Sequence, residues 1–365
     1  MKIAALVLVL LAISCVPCLA DDDGGDGVKV DVAVTEFEPG EEPPSEELPK
    51  VGLAPEGAPW RWLPKGPFDW ISQHPLALTV LQMPAESAYT LPEGRALLAY
   101  RLDIANNFVK YQEGDALFDI DLESYRQTIS YRRGMSERVE LGVFVPVHFS
   151  SRGIFDGWIE SWHGFFGLPT GDRPLYNENE YTFVVANGNE FRVLGESDSF
   201  GFGDVSFSGK YFIRPEGGGW PAISARAAIK IPTGEPGDIL GSGGFDAGFD
   251  LLAQKTFGRM ILYGQTGYVF TGGNDLDLEG NDIWKWSLAG EYQANRKHSW
   301  LIQFHHQTNP YKYGINDVDQ DTLEMALGFK RYLWRNVIWE GGFSEDIAVD
   351  TAPDFAIFSQ FTYHF

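Results

Sequence analysis

The sequence is poor in cysteine and in basic residues. Two cysteines occur among 365 residues, Cys15 and Cys18, and both fall within the first twenty positions. Cleavage after Ala20 is therefore expected to leave a chain without thiols or disulfides. Lys and Arg total 28 against 51 Asp and Glu, which gives a net charge of −23. This shortage of positive charge excludes a nucleic-acid partner, because nucleic acids bind basic surfaces.

Long apolar runs are also missing after residue 20. No stretch there reaches the roughly 20 apolar residues that a membrane-spanning helix needs. A spanning strand needs only about 9–11 alternating residues, so a membrane protein built from strands stays compatible with the sequence. The 41 glycines and the 14% aromatic residues favour many strands and turns over helices.

The amino-terminal region predicts three consecutive segments. Residues 1–20 combine Lys2, an apolar run and the small Ala20, which is typical of a cleaved signal peptide. Lipidation at Cys15 is the alternative. Residues 21–50 hold eleven acidic side chains against Lys29 and Lys50, and we expect them to form a disordered acidic, Pro-rich tail. Residues 51–93 are rich in Trp and Pro, and we expect them to lie along the periplasmic mouth of a barrel or to enter its lumen.

The carboxyl terminus has the clearest strand signal. In DFAIFSQFTYHF (354–365), Phe361, Tyr363 and Phe365 share one face, because side chains alternate across a strand. An exposed aromatic row suits lipid better than water. The segment resembles the final strand of outer-membrane barrels, which implies that these three residues are the signal read by the barrel assembly machinery. An edge strand of a soluble sandwich is the alternative.

Residues 94–365 contain twelve runs of alternating apolar and polar residues. Short spacers alternate with long ones, and the first long spacer is 106–115. This spacing predicts an all-β, up-and-down antiparallel transmembrane β-barrel with short periplasmic turns, long external loops and outer-membrane lipids around it. A parity change near Ser124 predicts a bulge. The runs lie at 98–104, 116–132, 139–149, 205–213, 223–231, 245–257, 260–271, 284–292, 300–307, 323–330, 337–344 and 354–365.

The polar positions of these runs predict the lining of the lumen. Both signs of charge occur there, which favours either structural salt bridges or a selective path for a small solute. The lumen-lining candidates are Arg101, Asp103, Arg226, Lys230, Asp246, Asp250, Lys285, Glu291, His305 and Glu324.

The longest loop, 150–202, predicts an amphipathic helix followed by a hairpin around Asn187-Gly188. The helix is expected to act as a lid over the pore, to lie in the membrane interface or to pack on its own loop. The lid candidates are Phe155, Asp156, Trp158, Ile159, Glu160, Trp162, His163 and Phe166.

Several short motifs together resemble a bacterial envelope family known only as domain-of-unknown-function family 3187. They are SQHPLAL (72–78), FDGWIE (155–160), FGLP (166–169), GFGD (201–204), KIPTG (230–234), GSG (241–243), QTNPY (307–311) and EDIAVDTAPD (345–354). The resemblance covers about residues 71–365 and implies an outer-membrane barrel without a defined activity. The KIPTG loop also resembles that of barrels linked to uptake of hydrophobic compounds.

Nothing in the sequence predicts a metal site, a cofactor or a catalytic group. His305 and His306 are adjacent in a strand and face opposite sides, so they cannot chelate one ion. No nucleophile stands beside a base and an orienting group. The leading hypothesis is a narrow channel or gated importer for a small solute, with hydrophobic solutes among those considered. The alternatives are a structural or partner-binding envelope protein and, less favoured, a lipid-active enzyme.

Overall fold

The computed structural model describes residues 65–153, 181–187, 190–194, 199–315, 318–334, 336–347, 352–353 and 355–365. The predicted signal peptide (1–20) and acidic tail (21–50) lie outside the described residues. So do all eight lid candidates, which fall within 154–180.

Twelve antiparallel strands close into a barrel, and the closing contact pairs the first strand with the last. Three short strands extend the sheet and two more form a small ladder among the loops. The strands of the described chain are β1 (Ala96–Glu113), β2 (Ala116–Gly134), β3 (Val139–Ser151), β4 (Thr182–Asn187), β5 (Glu190–Leu194), β6 (Phe200–Phe202), β7 (Val205–Arg214), β8 (Ala222–Ile231), β9 (Asp246–Phe257), β10 (Met260–Phe270), β11 (Glu279–Gly280), β12 (Ile283–Gln293), β13 (His298–Gln307), β14 (Tyr311–Lys312), β15 (Thr322–Trp334), β16 (Val337–Asp346) and β17 (Phe355–His364).

The twelve wall strands are all of these except β4, β5, β6, β11 and β14. We call the end where β1 begins and β17 ends the terminal end, and the opposite end the loop end. The predicted hairpin around Asn187 is confirmed, since β4 pairs with β5 and β4 also pairs with the loop end of β2. Helical structure in the described residues amounts to two 3₁₀ turns, Ala77–Thr79 and Pro236–Asp238. No helix among those residues is long and apolar enough to cross a bilayer.

The wall is polar inside and apolar outside, as β9 illustrates. Asp246, Asp250 and Gln254 are buried, while Phe249 and Leu251 between them are each 53% exposed. Soluble proteins show the opposite arrangement, so this inversion is what a barrel surrounded by lipid requires. Exposed aromatic side chains concentrate near both ends of the wall, as in the girdles of membrane barrels. They are Trp220, Phe257, Tyr292, Trp300 and Trp334 at the terminal end, and Phe200, Phe202, Phe245, Phe270 and Trp284 at the loop end.

Two predictions about the first hairpin are wrong. Residues 106–115 are not a long loop, because β1 and β2 remain paired up to Glu113 and Ala116, and Gly114 turns the chain with a φ of 60°. The part of this hairpin nearest the loop end is stabilised by pairing of β2 with β4 and by burial of Val109 and Phe118.

There is also no bulge near Ser124, since β2 pairs with β1 without a shift of register. The inner face of β2 is apolar toward the loop end, where Phe118, Ile120 and Leu122 are buried. Below Ser124 that same inner face becomes polar, and the apolar side chains lie on the outer face. The change of parity in the sequence therefore has another cause than an inserted residue. The inner face of β2 contacts apolar groups near the loop end and polar groups below Ser124.

Residues 65–93, which we call the plug, lie inside the barrel. One limb runs from Lys65 at the terminal end toward the loop end, where the 3₁₀ turn Ala77–Thr79 reverses the chain. The second limb returns to the terminal end and enters β1. The plug tip packs into an apolar cluster, the apolar cap, which joins the plug to the wall and the loops. The cap comprises Leu76, Val80, Leu81, Met83, Val109, Phe118, Ile120, Leu122, Phe183, Val185, Ala228, Val269, Leu276, Leu278, Ile283, Tyr311, Tyr313, Ile315 and Val318.

Candidate functional site

The outgoing limb of the plug is held by side chains of the wall. The backbone N–H of Lys65 donates to Glu291 at 3.1 Å, and that of Phe68 donates to Gln303 at 2.9 Å. Ser72 donates to Glu324 at 3.3 Å. Over residues 65–93, no backbone-to-backbone hydrogen bond joins plug and wall within the described chain. The plug is therefore attached without being a strand of the sheet.

The return limb carries one carboxylate into a ring of cations. Glu86 lies 2.5 Å from Arg226, 2.9 Å from Lys210 and 3.3 Å from Arg132. Burial raises the pKa of Glu86, but the three cations outweigh burial and hold the pKa well below its ordinary value. Glu86 is consequently ionised and forms the main electrostatic anchor of the plug.

All ten lumen-lining candidates are buried, and most of them contact the plug or each other. Lys230 donates to the carbonyl of Thr79 at 2.6 Å, Arg226 to that of Pro84 at 2.8 Å, and Lys285 to that of Met83. Asp246 accepts from the Leu81 N–H at 2.8 Å.

The remaining candidates complete this lining. Arg101 pairs with Asp103 at 2.7 Å, Asp250 pairs with Arg226 at 2.6 Å, and the His305 ring lies edge-on to Trp70. Together with the contacts of Glu291 and Glu324, these interactions make the inner wall a polar socket for the plug.

Three motifs that are separate in sequence meet at Asp204. Its carboxylate accepts hydrogen bonds from Lys230 at 2.6 Å, from the backbone N–H of Thr233 at 2.9 Å and from that of Gly234 at 2.8 Å. Ser242 adds a longer contact from its N–H at 3.3 Å. GFGD, KIPTG and GSG thus build one cluster, which we call the Asp204 cluster. Sequence reasoning recognised the motifs but not their meeting point.

The structure also brings together a pair that sequence reasoning missed. Ser287 and His305 are cross-strand neighbours on β12 and β13, and the Ser287 hydroxyl lies 2.9 Å from Nδ1 of His305. On its other side His305 has Gln307 at 3.4 Å, an amide rather than a carboxylate. Both side chains are buried beneath the plug. The period-2 register of β12 against β13 was the signal that could have paired them.

An internal cavity of about 450 Å³ opens between the two limbs of the plug at the terminal end. We call it the vestibule. Asp69, Arg132, Lys330 and Tyr332 are among its lining residues. At the loop end, the apolar cap packs the plug tip against the wall and the loops. Within those residues, no three His, Cys, Asp or Glu side chains are placed to share a metal ion.

Residues 59–365 match the model of a family described as "Protein of unknown function (DUF3187)". The chain belongs to the DUF3187 family. No curated protein has a similar sequence.

Solved structures resemble this DUF3187 protein in fold. The COG4313 outer membrane channel from Pseudomonas putida F1 has a TM-score of 0.53 at 14% identity, covering 78% of this chain and all 100% of that one. The translocator domain of the autotransporter NalP from Neisseria meningitidis has a TM-score of 0.41 at 10% identity, covering 75% and 90%. The CymD monoaromatic hydrocarbon channel has a TM-score of 0.37 at 12% identity, covering 87% and 97%. The first of these likenesses shows that the DUF3187 chain has the outer-membrane barrel fold.

The DUF3187 motif SQHPLAL supplies the upper part of the plug. His74 within it is buried and stacks on Phe118, with ring centroids 6.3 Å apart. Burial lowers the pKa of His74 to about 4, so the ring is neutral at physiological pH. The motif therefore fixes the plug tip against the apolar cap.

Proposed function

We propose that the protein is an outer-membrane channel or gated importer for a small solute, and that the plug closes it. The observation that carries this proposal is the mode of attachment of the plug. Residues 65–93 run through the lumen, but they join the wall through side chains and not through the sheet. A segment held in this way can leave while the barrel stays intact, because the hydrogen bonds of the wall do not depend on it.

The two ends of the lumen support a solute with an apolar part. At the loop end, entry passes through the apolar cap, which favours hydrophobic molecules. At the terminal end, the vestibule of about 450 Å³ is lined by charged side chains and can hold a small molecule. The fold is that of a protein described as an outer membrane channel, which is consistent with this role.

Planar-bilayer recording of the full chain and of a variant lacking residues 65–93 tests the proposal. We expect the full chain to be closed for most of the recording, and the deletion variant to conduct steadily. The deletion variant must first show the heat-modifiable gel mobility of a folded barrel. A folded deletion variant that never conducts would remove the basis for a channel.

A second candidate is a partner-binding or structural envelope protein. The dense ion pairing between plug and wall favours it, because a permanently filled barrel needs no solute. Pull-down with and without residues 21–50 separates the two, since partner capture that depends on this tail supports the second candidate.

The Ser287–His305 pair motivates a weaker alternative, a hydrolase. Loss of esterase activity in His305→Ala would support the hydrolase.

We also propose that the outer membrane is the location and that Phe361, Tyr363 and Phe365 guide assembly there. Phe365 is 39% exposed and stacks on Tyr363 with ring centroids 5.7 Å apart. Phe365→Ala should lower the amount of folded protein in the outer membrane, while Phe257→Ala, an exposed aromatic in an internal strand, should not. Equal yields of the two variants would contradict this assignment.

A further inference from the structure

One basic side chain on the inner wall differs from all the others. Seven inner-wall cations each have a carboxylate within 4.0 Å: Arg101, Arg132, Lys210, Arg226, Lys230, Lys285 and Lys330. Arg126 on β2 has none within the described residues. Its Nε atom is buried and has no hydrogen-bond partner there.

The strand register explains why Arg126 has no carboxylate partner among the described residues. It lies directly opposite Asp103 on β1 and opposite His148 on β3. Both oxygens of Asp103 accept from Nε of Arg101 at 2.9 Å, and Nη2 of Arg101 lies 2.7 Å from the same carboxylate. The carboxylate that would normally neutralise Arg126 is therefore occupied by another arginine. The Arg126 side chain is half-buried, so its charge is balanced neither by a neighbouring carboxylate nor by full hydration unless a further anion reaches it.

A small cavity of about 40 Å³ lies at Arg126, between the wall and both limbs of the plug. Thr128 also lines it, and the buried Oγ1 of this residue has no hydrogen-bond partner in the described structure. One water needs about 10–15 Å³ of such space, so the cavity accommodates a group the size of a carboxylate and not a whole solute. Arg126 and Thr128 supply donors that suit its oxygens.

We propose that Arg126 and Thr128 form a subsite for the carboxylate group of the transported solute. The proposal rests on the proposed channel function and adds the solute class, a small organic acid. The 40 Å³ cavity and the vestibule share Asp69 and Gln360 in their linings, so the body of the acid would lie in the vestibule. A phosphate dianion fits less well, because Asp69 lines the cavity and Arg126 is the one unpaired cation among its described residues.

Isothermal titration of the full chain in detergent, in chloride-free buffer, tests the subsite with acetate as the probe. Acetamide is the neutral control of the same shape. We expect saturable acetate binding, no acetamide binding, and at least tenfold weaker acetate binding in Arg126→Gln. Thr128→Val should weaken binding severalfold, and Arg133→Gln, at an exposed site on the same strand, should leave it unchanged. Each variant must keep the heat-modifiable mobility of the folded barrel.

Absence of saturable acetate binding to the wild-type chain, or equal binding by Arg126→Gln, would overturn the subsite. Binding is measured on the closed chain and needs no flux. Flux of a neutral solute without acetate binding would refute the subsite and leave the channel standing. Acetate binding without any flux would refute the channel and leave the subsite.

Discussion

The ammonium group of Lys230 lies 2.6 Å from the carboxylate of Asp204, and both side chains are buried. Lys230 also donates to the carbonyl of Thr79 at the plug tip and to the hydroxyl of Ser242, each at 2.6 Å. Asp204 in turn holds the backbone of residues 233 and 234. This ion pair therefore ties the plug tip, β8, the residue that precedes β7 and the 232–245 loop into a single unit.

Asp204→Asn tests how much this ion pair contributes to the stability of the protein. The substitution keeps the shape of the side chain but removes the nearer of the two carboxylates that compensate Lys230, since Asp204 lies 2.6 Å and Asp246 lies 3.2 Å from its ammonium group. Breaking a buried ion pair from one side costs about 3–5 kcal/mol, so we expect a clear loss of stability in urea unfolding in detergent. Asp238→Asn, in the 232–245 loop that Asp204 holds, is the matched control. No hydrogen bond or ion pair of the Asp238 side chain occurs in the described structure. Equal stability of the two variants would contradict the assigned role of Asp204.

Glycine is required at 234 but not at 237. A Cβ atom at Gly234 would collide with the carbonyl oxygen of Leu240, whereas at Gly237 the nearest atom is a flexible Glu235 oxygen 3.7 Å away. We expect Gly234→Ala to destabilise the protein by about 1–3 kcal/mol through this overpacking, and Gly237→Ala to be near neutral. Proteolysis of the 232–245 loop would check this, and faster cleavage of Gly237→Ala than of Gly234→Ala would be the contrary result.

Attachment of the plug should withstand mild acid. The folded-state pKa of Glu86 lies well below the reference value of 4.5. A carboxyl group with a depressed folded pKa contributes stability that is present above its unfolded pKa and is lost as the pH falls through the folded pKa. The contribution of Glu86 should therefore be unchanged from pH 7 to about pH 5 and disappear well below pH 4.5.

Thiol labelling of Ser87→Cys against pH measures this release once its rate is divided by the labelling rate of the unfolded chain at the same pH, because the reactive thiolate fraction itself falls in acid. Because no cysteine occurs after residue 18, the introduced thiol is the single reporter of a chain cleaved after Ala20. Addition of Glu86→Gln should increase labelling at neutral pH and flatten its acid dependence. Release with a midpoint above pH 5 in the Ser87→Cys protein would show that Glu86 is not the anchor.

The barrel was predictable because its signals are local. Alternation with period 2 fixes which side chains face lipid, and the exposure of the β9 side chains from Asp246 to Leu252 follows that pattern. The first hairpin was misjudged because Phe118, Ile120 and Leu122 are apolar on the inner face. They pack in the apolar cap, which is made by loops distant in sequence. Alternation alone does not say what a face contacts.

The socket for the plug could be predicted in part. The polar positions of the alternating runs identified the ten lumen-lining candidates. Their partners on the plug lie more than 150 residues away in sequence in several cases, as Leu81 does from Asp246. Arg126 lies on the polar face of its run, but the sequence does not show that Asp103, the carboxylate opposite it, is paired with Arg101. Ser287 was overlooked because its neighbour His305 is on the next strand, and pairing of the two needs the register.

The central claim is that the plug closes the barrel and must move for a solute to pass. Oγ of Ser87 and Oε1 of Gln254 lie 2.7 Å apart, so in Ser87→Cys with Gln254→Cys a short bifunctional thiol reagent with an internal disulfide should join the plug to the wall. Arabinose-driven swelling of liposomes containing the double variant measures passage directly. We predict that swelling falls to the level of empty liposomes when the crosslink is formed and returns on reduction. Equal swelling of the crosslinked and the reduced protein, with the crosslink verified, would contradict the account.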